Sequence, residues 1–592
     1  MLCKSSILIQ CVLILLVISC KLEVTQVKKT ATEITASAPD INPISLFNVI
    51  TPVAKSTFSL NAINSNGLCD SGSTIKISGD LVSVINLSCV DGFWKSPLLF
   101  STKSGTKNLS FIQTSINGLT TEKKISYTLA IAAVVPVVVP VPVPVPTPVA
   151  TIAAPTIIAP VFKTMASSMV PSIAVRGESL TFSTVLSSTV SVTNLNVDIE
   201  IREYGTEKVL DKKVYSATDF TANINKSFIY NFVVPTTTIA SNLYIVIGVF
   251  NDTWNKVYYW DNQAALLTMT NIVQTQNKLP LLGVNLSGGE FNSKPGARLY
   301  YEYVYPNNDE LDYLASRKIK IIRVPFTIFR LQPKRNGPLA ASELTAIDAV
   351  VNYAKTKGIT VLLDPHNYGY MNDDLGVSRI IGVDPLMPAS FLANFWGQMS
   401  MHYKSSTNVM FNLMNEPHSQ TAIQWKNAAV ESIKAIRATG ATQKILIPGT
   451  SWTGAHSWVK SGNAAAWTGF SDINFAYEVH QYLDIDSSGT HSDCIAGSGN
   501  SRLTSFTDWA RTNGVKGFLG EFGWANNFGC AVEGYSLVNT MALNNDVWLG
   551  GTYWSSGPWM SAYIFTSEPI KVSGIFFDRS AFTIFHRFVA TP

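Results

Sequence analysis

Two glutamates close apolar runs in this chain. Glu416 ends Val409-Met-Phe-Asn-Leu-Met-Asn-Glu416, followed by Pro-His, and Glu521 sits in Gly517-Phe-Leu-Gly-Glu-Phe-Gly-Trp524. In both, a strand-like stretch stops abruptly on a carboxylate. Cleavage of a glycosidic bond needs two carboxyl groups, one holding a proton and one ionised. The pair lies 105 positions apart. At roughly 35 residues per βα unit that is about three units, which in a parallel barrel would bring both acids to one C-terminal mouth.

The elements that must position them begin at about residue 277, where apolar strands alternate with helical segments. Eight strands are predicted, beginning near Leu282, Ile319, Ile359, Val409, Ile445, Ile473, Phe518 and Gly551. Their spacing leaves room for a helix and two loops in each step, as a (β/α)8 barrel requires. A doubly wound open sheet also alternates β and α, but no glycine-rich phosphate loop follows a strand. Among the helices, Ser342 to Gly358 has an N-cap serine, a Leu344, Ile347, Val351, Ala354 stripe and a glycine past its end. Polar residues at the predicted strand ends are Arg323, His366, Asn367, Asn415, Glu416, His480, Tyr482, Glu521 and Trp554.

Taken in order, these strand ends resemble glycoside hydrolase family 5, in the clan of barrels with the acid/base on strand 4 and the nucleophile on strand 7. The resemblance covers 277–592. Gly283-Val-Asn-Leu-Ser-Gly-Gly-Glu-Phe291, Leu483-Asp-Ile-Asp-Ser-Ser-Gly-Thr-His-Ser-Asp-Cys494 and Trp554-Ser-Ser-Gly-Pro-Trp559 are similar to its endoglucanase branch. It implies Glu416 as proton donor and then base, and Glu521 as nucleophile. Arg323 and Tyr482 would hydrogen-bond Glu521, Asn415 would bind the substrate 2-hydroxyl, and His480 would sit near Glu416 and the leaving sugar. His366, with Asn367 beside it, would bind hydroxyls around the reacting ring, and Trp554 would offer its face to that ring. Trp452 and Trp559 are candidate outer-subsite platforms, and Asp364 reads as structural. No metal or cofactor is required. The implied activity is a retaining endo-β-1,4-glucanase acting on a β-1,4-linked polysaccharide. A mannanase or xylanase on the same scaffold is the alternative within the class, and a non-catalytic surface carbohydrate-binding adhesin the alternative outside it.

The rest of the chain reads as delivery and spacing. Residues 1–20 have an early cation, an apolar run and the lipobox-like Val17-Ile-Ser-Cys20, so an export signal with Cys20 as a lipidated N-terminus is expected, anchoring the protein to a bacterial envelope membrane. Cell-surface or outer-membrane attachment, or release outside the cell, follows from that reading. Residues 21–42 form a tether, 43–130 an Ig-like β-sandwich, 131–160 a Pro/Val-rich polyproline linker, and 161–272 a second β-sandwich. The aromatic cluster Trp254, Tyr258, Tyr259 and Trp260 raises sugar binding for this second module, with a plain structural spacer as the other reading. The expected fold class is therefore multidomain, a C-terminal TIM barrel preceded by two sandwiches. Outside the signal, Cys69, Cys89, Cys494 and Cys530 allow three disulfide connectivities, of which pairing within modules, Cys69 with Cys89 and Cys494 with Cys530, needs no cross-domain reach. A formal charge of +4 over 592 residues, with 14% charged residues, gives no basic face for nucleic acid. A neutral partner and a monomer are expected.

Overall fold

A computed structural model describes parts of residues 48–129 and all of 159–590 except three single positions, 239, 273 and 295. The export segment, Cys20, the tether and residues 131–158 of the proline-rich linker lie outside the described residues. The chain divides into two compact units, Met1–Ile152 and Ala153–Pro592.

The first unit holds two small sheets, a three-stranded one and a five-stranded one. Alternation along Thr74–Gly79 buries Ile75 and Ile77 against Leu109, Phe111 and Tyr127. The disulfide Cys69–Cys89 lies within this core. The β-branched run Leu81–Ser88 forms a strand over Ile85–Ser88, with Leu81 in an isolated bridge to Phe100.

The second unit begins with a sandwich. Its five-stranded sheet runs, in spatial order, Ile173–Ala174, Val257–Met269, Asn242–Phe250, Val192–Glu203 and Val209–Phe220; its three-stranded sheet runs Lys226–Val233, Ser179–Ser188 and Phe162–Val170. Between them Leu195, Val197, Ile199 and Ile201 meet Phe182, Leu186, Phe228 and Phe232.

Eight parallel strands then close a barrel: β1 (Leu281–Leu286), β2 (Ile321–Phe326), β3 (Thr360–Pro365), β4 (Val409–Asn412), β5 (Ile445–Pro448), β6 (Phe475–Tyr482), β7 (Gly517–Gly523) and β8 (Trp548–Ser556). Each start lies within three residues of its sequence expectation. Being buried on both faces, these strands read as continuous apolar runs. Inside the barrel Ile321, Leu362, Met410, Leu446, Ala476 and Phe518 form one packed floor, so the polar strand ends above it have a rigid base.

The helix expected from Ser342 spans Ala341–Thr356 and its N-cap is Ala340, without a side-chain cap bond. Ser342 is inside the first turn, and buried Glu343 there accepts from the hydroxyls of Tyr303 (2.6 Å) and Tyr305 (2.8 Å) and from Arg330 (3.1 Å). Tertiary partners thus accompany a start that capping statistics place two residues later.

The sandwich is packed directly on the barrel. Arg587 pairs with Glu178 at 2.8 Å and donates to the Ile173 carbonyl at 2.7 Å. Ser172 and Thr583 hydroxyls meet at 2.8 Å, and Ala166 and Val185 pack with Val572 and Phe577. The second disulfide, Cys494–Cys530, ties the loop after β6 to the helix Phe528–Leu543. Both pairings follow the within-module expectation.

Candidate functional site

Parallel strands present their C-terminal ends to one mouth, and the alternation of β6 puts Glu478, His480 and Tyr482 on one face. His480 pairs in register with Glu521 of β7. Glu416, four residues beyond the end of β4, has a left-handed backbone at φ +41°, a conformation that costs a non-glycine residue energy and occurs where surrounding structure enforces it. One carboxylate oxygen each of Glu416 and Glu521 and one His480 nitrogen lie within 4.8 Å of one another.

Arg323, fully buried, is the hub. It donates to Glu521 Oε1 (2.8 Å), Asn415 Oδ1 (2.7 Å) and Asn285 Oδ1 (2.9 Å), and it contacts Asp364 at 3.0 Å. The Tyr482 hydroxyl donates to the other Glu521 oxygen at 2.8 Å. His480 is held between Glu478 (2.5 Å from Nε2) and Glu416 (2.6 Å from Nδ1), with Glu521 3.5 Å away. His366 contacts Asp364 through Nδ1 at 2.8 Å and Asn415 through Nε2 at 3.1 Å, and its ring stacks on Trp554 at 5.3 Å.

These contacts pull the two glutamates apart electrostatically. Burial raises the Glu416 pKa, only partly offset by His480. Burial also opposes ionisation of Glu521, but the charges of His480, Arg323 and His366 and the Tyr482 hydroxyl outweigh it, so its pKa is lowered. His480 is held well above the ordinary histidine range: burial works against it, and Glu478, Glu521 and Glu416 prevail. The arrangement favours the protonated form of one carboxyl and the charged form of its neighbour, which suits acid-assisted nucleophilic attack.

Every strand-end residue named from sequence except Asn367 reaches this cluster. The Asn367 side chain is committed to the next loop, accepting from the Ile328 backbone N–H at 2.8 Å and donating to Thr327 at 3.3 Å. Arg323 bridges the barrel carboxylate Asp364 as well as Glu521, so its structural and electrostatic parts coincide. Of the outer tryptophans, Trp452 is exposed and stacks on His418 at 4.7 Å, and Trp559 lies stacked 6.3 Å from Phe291. Two participants escaped the sequence reading. Glu478 was visible as the partner of His480 two residues on in the same strand, whereas Asn285, which also donates to the Gly520 and Thr552 carbonyls, had only its place near the end of β1 to mark it.

The sequence pattern described as Cellulase (glycosyl hydrolase family 5) matches residues 275–558. Endo-beta-1,4-glucanase A of Emericella nidulans is 38% identical over 304 residues, covering 50% of this chain and 89% of the relative. The chain belongs to glycoside hydrolase family 5. Among solved structures, an endo-beta-1,4-glucanase from Xanthomonas axonopodis pv. citri is 38% identical, with a TM-score of 0.50, and the match covers 53% of this chain and 100% of that one. XacCel5A, solved in complex with cellopentaose, is 40% identical, with a TM-score of 0.50 over 52% of this chain and 99% of its own. The family 5 match thus falls on the barrel that carries the two glutamates.

Proposed function

We propose that this chain is a retaining endo-β-1,4-glucanase in which Glu521 attacks the anomeric carbon and Glu416 serves first as acid and then as base. The carrying observation is the close pair of carboxylates with opposite protonation bias. Retaining enzymes hold their carboxyl groups about 5–5.5 Å apart, whereas inverting ones need roughly 6.5–9.5 Å for an intervening water. The 4.8 Å envelope around single oxygens of Glu416 and Glu521 fits the shorter class. The substrate assignment follows the endo-β-1,4-glucanases to which the barrel is similar.

In the first half-reaction Glu416 gives its proton to the departing glycosidic oxygen while Glu521 forms the glycosyl ester. In the second, Glu416 takes a proton from water as the ester is hydrolysed. His480, bonded to Glu416 and backed by Glu478, holds the Glu416 carboxyl in place through both half-reactions, and the proton taken from water restores Glu416 as an acid for the next turnover. Asn415, oriented by Arg323, would hold the 2-hydroxyl, and Trp554 would support the reacting ring. Trp452, which lines the cleft with Glu416 and Tyr482, would stack the leaving side of the chain, and Trp559 a more distant sugar. Two disulfides fit an exported protein, and Cys20 is its proposed lipid anchor, which a Cys20→Ser variant released from membranes would support and one still membrane-bound would not.

The test is hydrolysis of soluble carboxymethylcellulose by the protein, followed by reducing ends and viscosity, with proton NMR of the first anomer formed. Falling viscosity with β-anomer first is expected. Release of the α-anomer first would refute double displacement, and no release from folded protein would refute the glucanase assignment.

A further inference from the structure

The outer face of the five-stranded sheet has features that the barrel chemistry does not use. Alternation turns Leu195, Val197, Ile199 and Ile201 into the core and sets Asn196, Asp198, Glu200 and Arg202 on the opposite face, where the first three are buried and Arg202 is partly exposed. Register places Asp198 opposite Gly248 and Gly248 opposite Trp260, so the three share one row across the sheet. A Cβ on Gly248 would press into the rings of Phe250 (2.5 Å) and Trp260 (2.9 Å), which means that both rings lie over the bare backbone. Trp260 remains 43% exposed, with the Arg202 guanidinium 5.4 Å from its ring centre. At the hairpin tip Trp254, 44% exposed, lies 5.0 Å from Phe250, so the rings form a continuous strip. Of the other aromatics in the cluster, Tyr259 is committed inward, its hydroxyl bonded to Thr164.

Two features of this strip work against stability. Trp254 is held at φ +63°, a backbone region unfavourable to a bulky side chain. Asn251 enforces it, donating to Thr253 (2.7 Å) and Asn255 (2.7 Å) and accepting from the Lys256 N–H (2.9 Å). Asp198, only 5% exposed, has an Oδ1 that is fully enclosed and without a hydrogen-bond partner. Burial and the adjacent Glu200 push it up to about 6.

We propose that this face binds a neutral β-glucan chain, with pyranose rings on Trp254 and Trp260 and sugar hydroxyls accepting from the partly exposed Arg202, which the buried Glu200 carboxylate, beside Asp198, holds in place. Hydroxyls accept as well as donate, which matches a guanidinium beside flat apolar rings. The identity of the glycan rests on the glucanase reading of the barrel.

The experiment compares the full-length protein with Trp254→Ala/Trp260→Ala and with Asp198→Asn. It measures retention on insoluble cellulose, turnover of soluble cello-oligosaccharides and Tm. Retention is expected to fall at least fivefold in the double variant and about threefold in Asp198→Asn, with soluble turnover within twofold of the parent. The Tm of Asp198→Asn should not drop, because burial and the neighbouring Glu200 disfavour the Asp198 carboxylate. Unchanged retention in the tryptophan variant overturns the proposal, as does an Asp198→Asn protein that loses stability but keeps retention. Absence of turnover in the parent would instead count against the glucanase reading, while retention still reports on the sandwich face.

Discussion

At the scale of single residues, the catalytic problem is to keep two nearby carboxyl groups in opposite protonation states. Glu416 is raised by burial, and Glu521 is lowered because His480, Arg323 and Tyr482 overcome the same burial. Activity therefore rises as pH passes upward through the depressed Glu521 value and falls as it passes the elevated Glu416 value. A bell-shaped profile of kcat/KM on cellohexaose, with its alkaline limb set by Glu416, is expected; an alkaline limb unmoved in Glu416→Asp would contradict that assignment. Glu521→Gln should lower kcat by on the order of 10³-fold or more on every substrate. Glu416→Gln should cost about 10²–10⁴-fold on cellulose but much less on a dinitrophenyl cellobioside, whose leaving group needs no proton. Equal losses on both substrates would deny Glu416 the role of acid.

At the scale of elements, glycine placement decides whether charged groups fit between strands. Gly520 of β7 faces Glu478 of β6, and a Cβ there would overlap Glu478 Oε1. Gly520→Ala should force Glu478 away from His480, destabilise the barrel by about 1–3 kcal/mol and shift the alkaline limb of the pH profile. A variant with wild-type Tm and pH dependence would disprove this coupling. The Cys494–Cys530 bond closes a loop with a sequence separation of 36 residues. Chain-entropy arguments give about 4 kcal/mol for such a closure, so the double serine variant should melt several degrees lower, by calorimetry, without loss of the carboxylate cluster.

At the scale of the whole molecule, the second sandwich is part of the barrel's structure. Arg587 joins Glu178 and Ile173 across the contact, and Ile173 belongs to the same apolar cluster as Leu279 and Phe588. A barrel cut at residue 277 should therefore have a lower Tm than residues 159–592 and a greater tendency to aggregate, with kcat on soluble substrate little changed for the folded fraction. Equal melting of the two fragments would reduce the sandwich to a spacer.

Periodicity and composition were enough to place the eight strands, because a strand buried on both faces must be apolar throughout and must stop where polar groups begin. The same stops exposed Glu416, Glu521, Arg323, Asn415, His480 and Tyr482, since a barrel gathers strand ends whatever their separation in sequence. Tertiary structure alone decided what each end touches. That Asn367 turns to the Thr327 loop and that Asn285 joins Arg323 depend on lateral register between strands distant in the chain, which local pattern does not encode. Likewise the aromatic residues from 254 to 260 were evident as a cluster, but only the register of Asp198, Gly248 and Trp260 separated an outward strip from the inward Tyr259, because alternation fixes a side chain's face only once its neighbours are known.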